Sequence, residues 1–236
     1  QGNPILTETG EKQFDYGKTR PSGANPNWNP VATLFEDAYE TTGDNLSGRF
    51  HVNLIGSGIN STIDGLSLTT NIGFDYVNTN ETTYWNPEFG NAASIGGYLD
   101  LLNNRSLSYT INELIRYNKD FGKHSLSVLA GHEFYKLVIN ELEGSKTGFP
   151  YSGIKQLAPG STTSGLTSFE DNYAIESFLS NFTYDFSDRY YLSASFRTDG
   201  SSRFNKNYRW GQFWSLGASW RVSEETFMKS LTFVDN

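Results

Sequence analysis

Three histidines and a few carboxylate pairs are the residues of this chain whose types could carry acid–base or metal chemistry, and their spacing does not assemble a site. His51, His124 and His132 are scattered, with no pair at metal-ligand spacing. His132 beside Glu133 comes closest, and it reads as a strand-end pair rather than a ligand set. The chain has no cysteine, which excludes a thiolate metal site and a cysteine nucleophile. Gly144-Ser145-Lys146-Thr147 is like the end of a phosphate loop, but the Gly-x4-Gly-Lys spacing is missing. Glu170-Asp171 and Glu224-Glu225 read as solvated loop charge, a calcium site at Glu170-Asp171 being the alternative. A glycosidase needs two carboxylates flanking the scissile bond, and no compelling pair is offered. The expectation is a non-enzyme without catalytic residues, metal or cofactor.

Binding chemistry has better candidates. The stretch Asn78–Arg105 holds Tyr84, Trp85, Asn86, Phe89 and Tyr98. Aromatic faces stack on sugar rings or peptide side chains, and Asn bonds hydroxyls. The competing reading is that these rings pack a loop against its neighbours. Trp85 is the first candidate for substrate contact, followed by Tyr84, Asn86 and Phe89. A second group is mechanical. Arg197, Asp199 and Arg203 could form a charge network that holds a loop mouth, with Gly200 supplying a turn of positive φ. Asp199 could add a side-chain-to-backbone turn.

These residues hang on strands. In Tyr190–Thr198, Tyr190, Leu192, Ala194 and Phe196 alternate with Tyr191, Ser193, Ser195 and Arg197. In Gly211–Val222, Trp214, Leu216, Ala218 and Trp220 alternate with Ser215, Gly217, Ser219 and Arg221. Period-2 alternation gives each strand one apolar and one polar face. Similar stretches run over 48–58, 66–77, 106–117, 125–135 and 175–186. Residues 1–45 read mostly as loop, with a short strand around Val31–Phe35, and residues 46–236 as strands with their connections. Ser223 followed by Glu224 and Glu225 looks like a helix N-cap with an acidic first turn, so a short helix is expected over Glu224–Ser230.

Composition fits an all-β chain. Aromatics reach 15% of residues although hydrophobic residues total only 36%, and there are 23 glycines to serve turns. The net charge of −8, without a Lys/Arg cluster, excludes nucleic acid as a partner. No apolar run approaches the roughly 18–20 residues of a membrane-spanning helix, which leaves a membrane barrel open. The QGNPILTETG opening shows no signal peptide, so the sequence is expected to be mature or a fragment.

Connection lengths choose between lipid and a protein core for the apolar faces. Short turns at Gly58–Leu66, Asn118–His124 and Ser187–Arg189 alternate with longer connections at Asn78–Arg105, Leu137–Tyr173 and Thr198–Trp210. That alternation is the pattern of an outer-membrane barrel, with short periplasmic turns and longer extracellular loops. Aromatics crowd the strand ends, at Tyr76, Tyr117, Phe134, Tyr135, Phe186, Tyr190, Trp210 and Trp220, as suits a lipid interface. The alternative is a soluble surface β-sandwich, a carbohydrate-binding module.

The run Tyr191-Leu192-Ser193-Ala194-Ser195-Phe196-Arg197-Thr198-Asp199-Gly200-Ser201-Ser202-Arg203-Phe204 closely resembles the SusC/RagA-type TonB-linked outer-membrane receptors. So do Arg209-Trp210-Gly211 and Trp220-Arg221-Val222-Ser223-Glu224-Glu225-x-Phe227-Met228. Asn29-Pro30, the turn around Phe121-Gly122-Lys123 and Gly131-His132-Glu133 also look like family features. The resemblance implies an all-β fold of antiparallel up-and-down strands, here about seven or eight of the 22 that close such a barrel. Residues 1–236 would be a partial barrel without plug domain or TonB box. It further implies energised import of an oligosaccharide or peptide across the cell outer membrane. Implied partners are a SusD-like surface lipoprotein, the TonB complex acting through the plug, and outer-membrane lipid.

Overall fold

The computed structural model describes residues 6–11 and 30–228. A short helix, α1 (Pro30–Glu36), precedes seven strands. They are β1 (Ala38–Ile55), β2 (Leu66–Trp85), β3 (Tyr98–Phe121), β4 (His124–Thr147), β5 (Thr162–Phe186), β6 (Tyr190–Ser201) and β7 (Trp210–Trp220). They form one sheet in sequence order, β1 through β7. The up-and-down order follows from hairpin connections, which can join only antiparallel neighbours.

Several expectations are corrected. Residues 30–36 form a helix, not a strand: proline suits the first helical position, and Asp37 N donates to Thr33 O at 2.9 Å. β1 begins at Ala38, inside the stretch expected to be loop. Asn78–Arg105 is mostly strand, leaving a connection of residues 86–97. The reason is cross-strand bonding by polar side chains: Asn103 Nδ2 donates to Asn78 Oδ1 at 2.8 Å and to Asn80 Oδ1 at 2.7 Å. Leu137–Tyr173 shrinks in the same way to residues 148–161. After β7 the described residues make a 3-10 turn over Val222–Glu224 and a turn closed by Met228 N on Glu225 O at 3.0 Å rather than a helix, because Glu225 is already extended. Residues 229 and 230 of the expected Glu224–Ser230 helix, and Asn29 of the Asn-Pro pair, lie outside the described residues.

The short connections are tightly made. Between β5 and β6, Ser187 and Asp188 both have positive φ, 57° and 56°, and Arg189 N donates to Phe186 O at 3.1 Å. Two central residues of positive φ define the turn whose twist matches a hairpin. Asp185 Oδ1 accepts from Asp188 N at 3.0 Å and steadies it.

Two compact units divide the chain. Unit one comprises residues 1–45, 76–106 and 139–171, and unit two residues 46–75, 107–138 and 172–236. Unit one holds the buried apolar residues: Tyr84, Leu99, Phe149 and Ile154 cluster, and Ala32, Phe89 and Ala92 are also buried. In unit two no apolar side chain is buried among the described residues. Its sheet instead separates two faces. Phe182, Ala194 and Leu216 stand in one row, and Asn181, Ser195 and Ser215 in the next. The apolar face is bare, with Trp214 and Leu216 at 74% and 73% exposure.

Candidate binding surface

The residues expected to contact substrate lie in unit one, and most are inside it. Tyr84 ends β2 at 2% exposure, and its hydroxyl accepts from Gly153 N at 2.6 Å. Burial pushes the Tyr84 phenol up, and the nearby carboxylates of Glu36, Asp37 and Glu88 push the same way. Asn86, at 1% exposure, is a clasp. Its N and Nδ2 both donate to Asp37 Oδ1, at 2.9 and 2.8 Å, while its Oδ1 accepts from Glu88 N and Phe89 N, each at 3.0 Å. Phe89 is 5% exposed. Trp85 is half-buried, its ring 5.0 Å from that of Tyr98 and its Nε1 donating to the Tyr39 hydroxyl. Of the four, Trp85 alone keeps a partly open ring.

Backbone pairing joins the two long connections to each other. Gly148 N donates to Ile95 O at 3.0 Å and Phe149 N to Gly96 O at 2.7 Å. Gly96 and Gly148 have φ of 71° and 73°, where a side chain would be strained. These connections form an ordered knob rather than free loops.

The polar face of unit two carries the second set. Asp199 Oδ1 accepts from Arg197 Nε at 2.7 Å, and Arg197 Nη2 also donates to Glu133 Oε2 at 2.7 Å. Glu133 Oε1 accepts from Asn112 Nδ2 at 2.7 Å. Farther along, Asn71 Nδ2 reaches Asn112 Oδ1 at 3.5 Å, and His51 Nδ1 lies 2.6 Å from Asn71 Oδ1. One polar row therefore passes from β1 to β6. Glu133 was not singled out for this network, since sequence does not show which strand meets which. The Arg203 guanidinium stands over the Tyr173 ring, 4.9 Å from its centroid. Gly200 corrects the expectation: Asp199–Ser201 belongs to β6, and Gly200 lacks a positive φ. Glycine is needed there because a Cβ would come within 2.8 Å of the Trp210 ring.

His132 and Glu133 do not pair. Successive strand residues face opposite ways, so Glu133 joins the polar row while His132 stands on the other face. There its Nδ1 is 3.3 Å from Glu113 Oε2, its Nε2 is 3.2 Å from Glu176 Oε1, and its ring is 4.9 Å from that of Phe178. Both nitrogens face carboxylates, and no group of three metal-ligating side chains is placed to hold an ion among the described residues.

Aromatic rings line two levels of the apolar face. At the short turns, Phe121, His124, Phe186, Tyr190, Trp220 and Phe227 follow one another at centroid distances of 4.9 to 6.4 Å. A second level holds Tyr109 with Phe134, and His132, Phe178 and Trp210. From His124 to His132, or Phe186 to Phe178, is about 27 Å of strand. At the usual tilt this is a height of about 20 Å, close to the apolar band of a membrane barrel.

Comparisons with known proteins agree with this geometry. No protein-family model matches the chain. It is 30% identical over 180 residues to "TonB-dependent receptor P39" of Formosa agariphila, covering 72% of this chain and 17% of that protein. It is 27% identical over 172 residues to "TonB-dependent receptor SusC" of Bacteroides thetaiotaomicron, again covering 72% and 17%. The chain thus spans about a fifth of the length of the curated relatives it matches. Among solved structures, the RagAB peptide transporter matches with a TM-score of 0.72 at 24% identity, covering 93% of this chain and 24% of that one. The RagAB peptide importer in its "closed-closed" state matches with a TM-score of 0.73 at the same identity and coverage.

Proposed function

We propose, for a chain that belongs to the SusC/RagA-type TonB-linked outer-membrane receptors as a stretch of their barrel wall, that it serves the energised import of an oligosaccharide or peptide across an outer membrane. The observation that carries this reading is the bare apolar face of unit two between its two aromatic levels. Lipid suits that face, and the rings suit the headgroup zones on either side. The polar face, rich in Ser, Thr and Asn, would line the hydrated interior. In unit one, the partly open ring of Trp85 is where a solute or a SusD-like surface lipoprotein could make contact. Residues 1–236 would form part of the wall, and the TonB complex would act through a plug and TonB box elsewhere in the receptor.

The competing reading, a soluble carbohydrate-binding sandwich, requires a second layer over the apolar face. No described residue of unit two supplies it.

Uptake by cells carrying the intact receptor tests the proposal. Labelled oligosaccharides and peptides should enter only when both the receptor and a working TonB complex are present. Uptake that persists without TonB would sink the energised-import reading. A protein that is monodisperse without detergent would sink the membrane reading.

A further inference from the structure

On the polar face of unit two, beside the row of Glu133, Arg197 and Asp199, three side chains make a step of different chemistry. The rings of Tyr135 on β4 and Tyr173 on β5 lie 5.8 Å apart and tilted by 52°. Past the end of β6, the Arg203 guanidinium covers the Tyr173 ring at 4.9 Å. Both tyrosines are half-buried and Arg203 is exposed, so part of each ring and the outer side of the guanidinium meet solvent.

The surroundings decide what such a step can hold. Arg197 is bonded to Glu133 and Asp199. Arg49 donates Nη2 to both carboxylate oxygens of Asp75, at 3.0 and 2.8 Å. These charges neutralise one another on the protein itself. Close by stand the amides of Asn71 and Asn112. A solute with net charge would have to break one of these pairs, or draw Arg203 off the Tyr173 ring, to find a partner. A neutral solute need not. Its hydroxyls can bond amides and the outer edges of the paired charged groups, and its C–H faces can lie on the rings.

We propose that Tyr135, Tyr173 and Arg203 form a contact step for a neutral, polyhydroxylated solute on the polar face of this wall. The inference rests on the import reading above and narrows it to uncharged glycans over peptides and anionic glycans.

Calorimetry on the intact receptor in detergent tests the step. The probes are uncharged gluco-, manno- and xylo-oligosaccharides, an oligogalacturonate, and a mixture of short peptides. An uncharged oligosaccharide should bind tightest. Tyr135→Leu and Tyr173→Leu should each weaken it roughly tenfold, as expected for losing a stacked ring. Tyr173→Phe, which keeps the ring, should bind nearly as the parent does. Mere packing would leave affinity unchanged in every variant that keeps its heat-modifiable gel mobility, and that result overturns the step. Tighter binding of the oligogalacturonate or the peptides overturns the solute class. Should the leucine variants not fold, Arg203→Gln carries the same readout: a loss of affinity is expected, and undiminished affinity overturns the step. A parent receptor that neither binds nor imports any probe overturns the import reading, and the step with it.

Discussion

Arg197 of β6 reaches past the intervening strand β5 to donate Nη2 to Glu133 Oε2 of β4 at 2.7 Å, while its Nε holds Asp199 of its own strand. A guanidinium has a fork of donors to spend on two carboxylates at once. Here it ties β6 to β4 through side chains in addition to the backbone ladder. Arg197 and Glu133 are 42% and 33% exposed, so solvent screens much of the attraction.

The coupling between this pair should therefore be modest. A double-mutant cycle of Arg197→Ala and Glu133→Gln, read from unfolding of the receptor in detergent, should return about 0.5–1 kcal/mol. Zero coupling would show that the bridge is incidental to stability.

Asn86 should matter for architecture and little for solute affinity. Asn86→Ala removes the side-chain acceptor of two backbone amides and one of the two donors to Asp37 Oδ1, the backbone N of residue 86 remaining, at a local cost of about 2–3 kcal/mol. Limited proteolysis should then cut residues 86–97 and 148–161 together, because Gly148 and Phe149 are bonded to Ile95 and Gly96. Asn86→Asp should be no better, since it sets a second carboxylate against Asp37.

Acid should loosen the exit from β7. Glu225 Oε1 accepts from the Tyr190 hydroxyl at 2.6 Å and from Trp220 Nε1 at 3.2 Å, with Arg189 at 3.6 Å. The Tyr190 bond, then that of Trp220, holds the Glu225 carboxyl below its ordinary value. A lowered folded-state value contributes stability above the ordinary glutamate range and loses it as pH falls through the folded value. Trp220 fluorescence should change below about pH 4, and Glu225→Gln should abolish that transition.

Asp100 should respond in the opposite sense. Burial, with Glu143 adding repulsion, raises its carboxyl, and its Oδ1 has no hydrogen-bond partner among the described residues. A raised folded-state value favours the folded form below the ordinary aspartate range, and this support is lost as pH rises through the folded value. At neutral pH, Asp100→Asn should slow hydrogen exchange in β3 near Leu99. Faster exchange would show that the charge is needed.

Leu216 and Ser215 are adjacent on β7 and should differ sharply. Leu216→Arg places a charge midway along the apolar face, at about 2–4 kcal/mol for a midplane site. Ser215→Arg faces the polar side and should be tolerated. The yield of heat-modifiable receptor in membranes measures both, and equal yields would contradict the assignment of faces.

Alternation by itself determined which side chains share a face in Tyr190–Trp220, because a strand's period of two is set by backbone geometry and needs no partner. The short turns were legible for the same reason: Gly122 and the Ser187-Asp188 pair act locally. The long Asn- and Thr-rich stretches were not. Their strand character rests on Asn103 reaching Asn78 and Asn80 across a hairpin, contacts that composition does not reveal. Tertiary structure also set Asn86 in a clasp with Asp37, Glu88 and Phe89, parted His132 from Glu133, and joined Glu133 to Arg197. Each outcome depends on strand register, which is decided by many weak cross-strand contacts summed over distant residues.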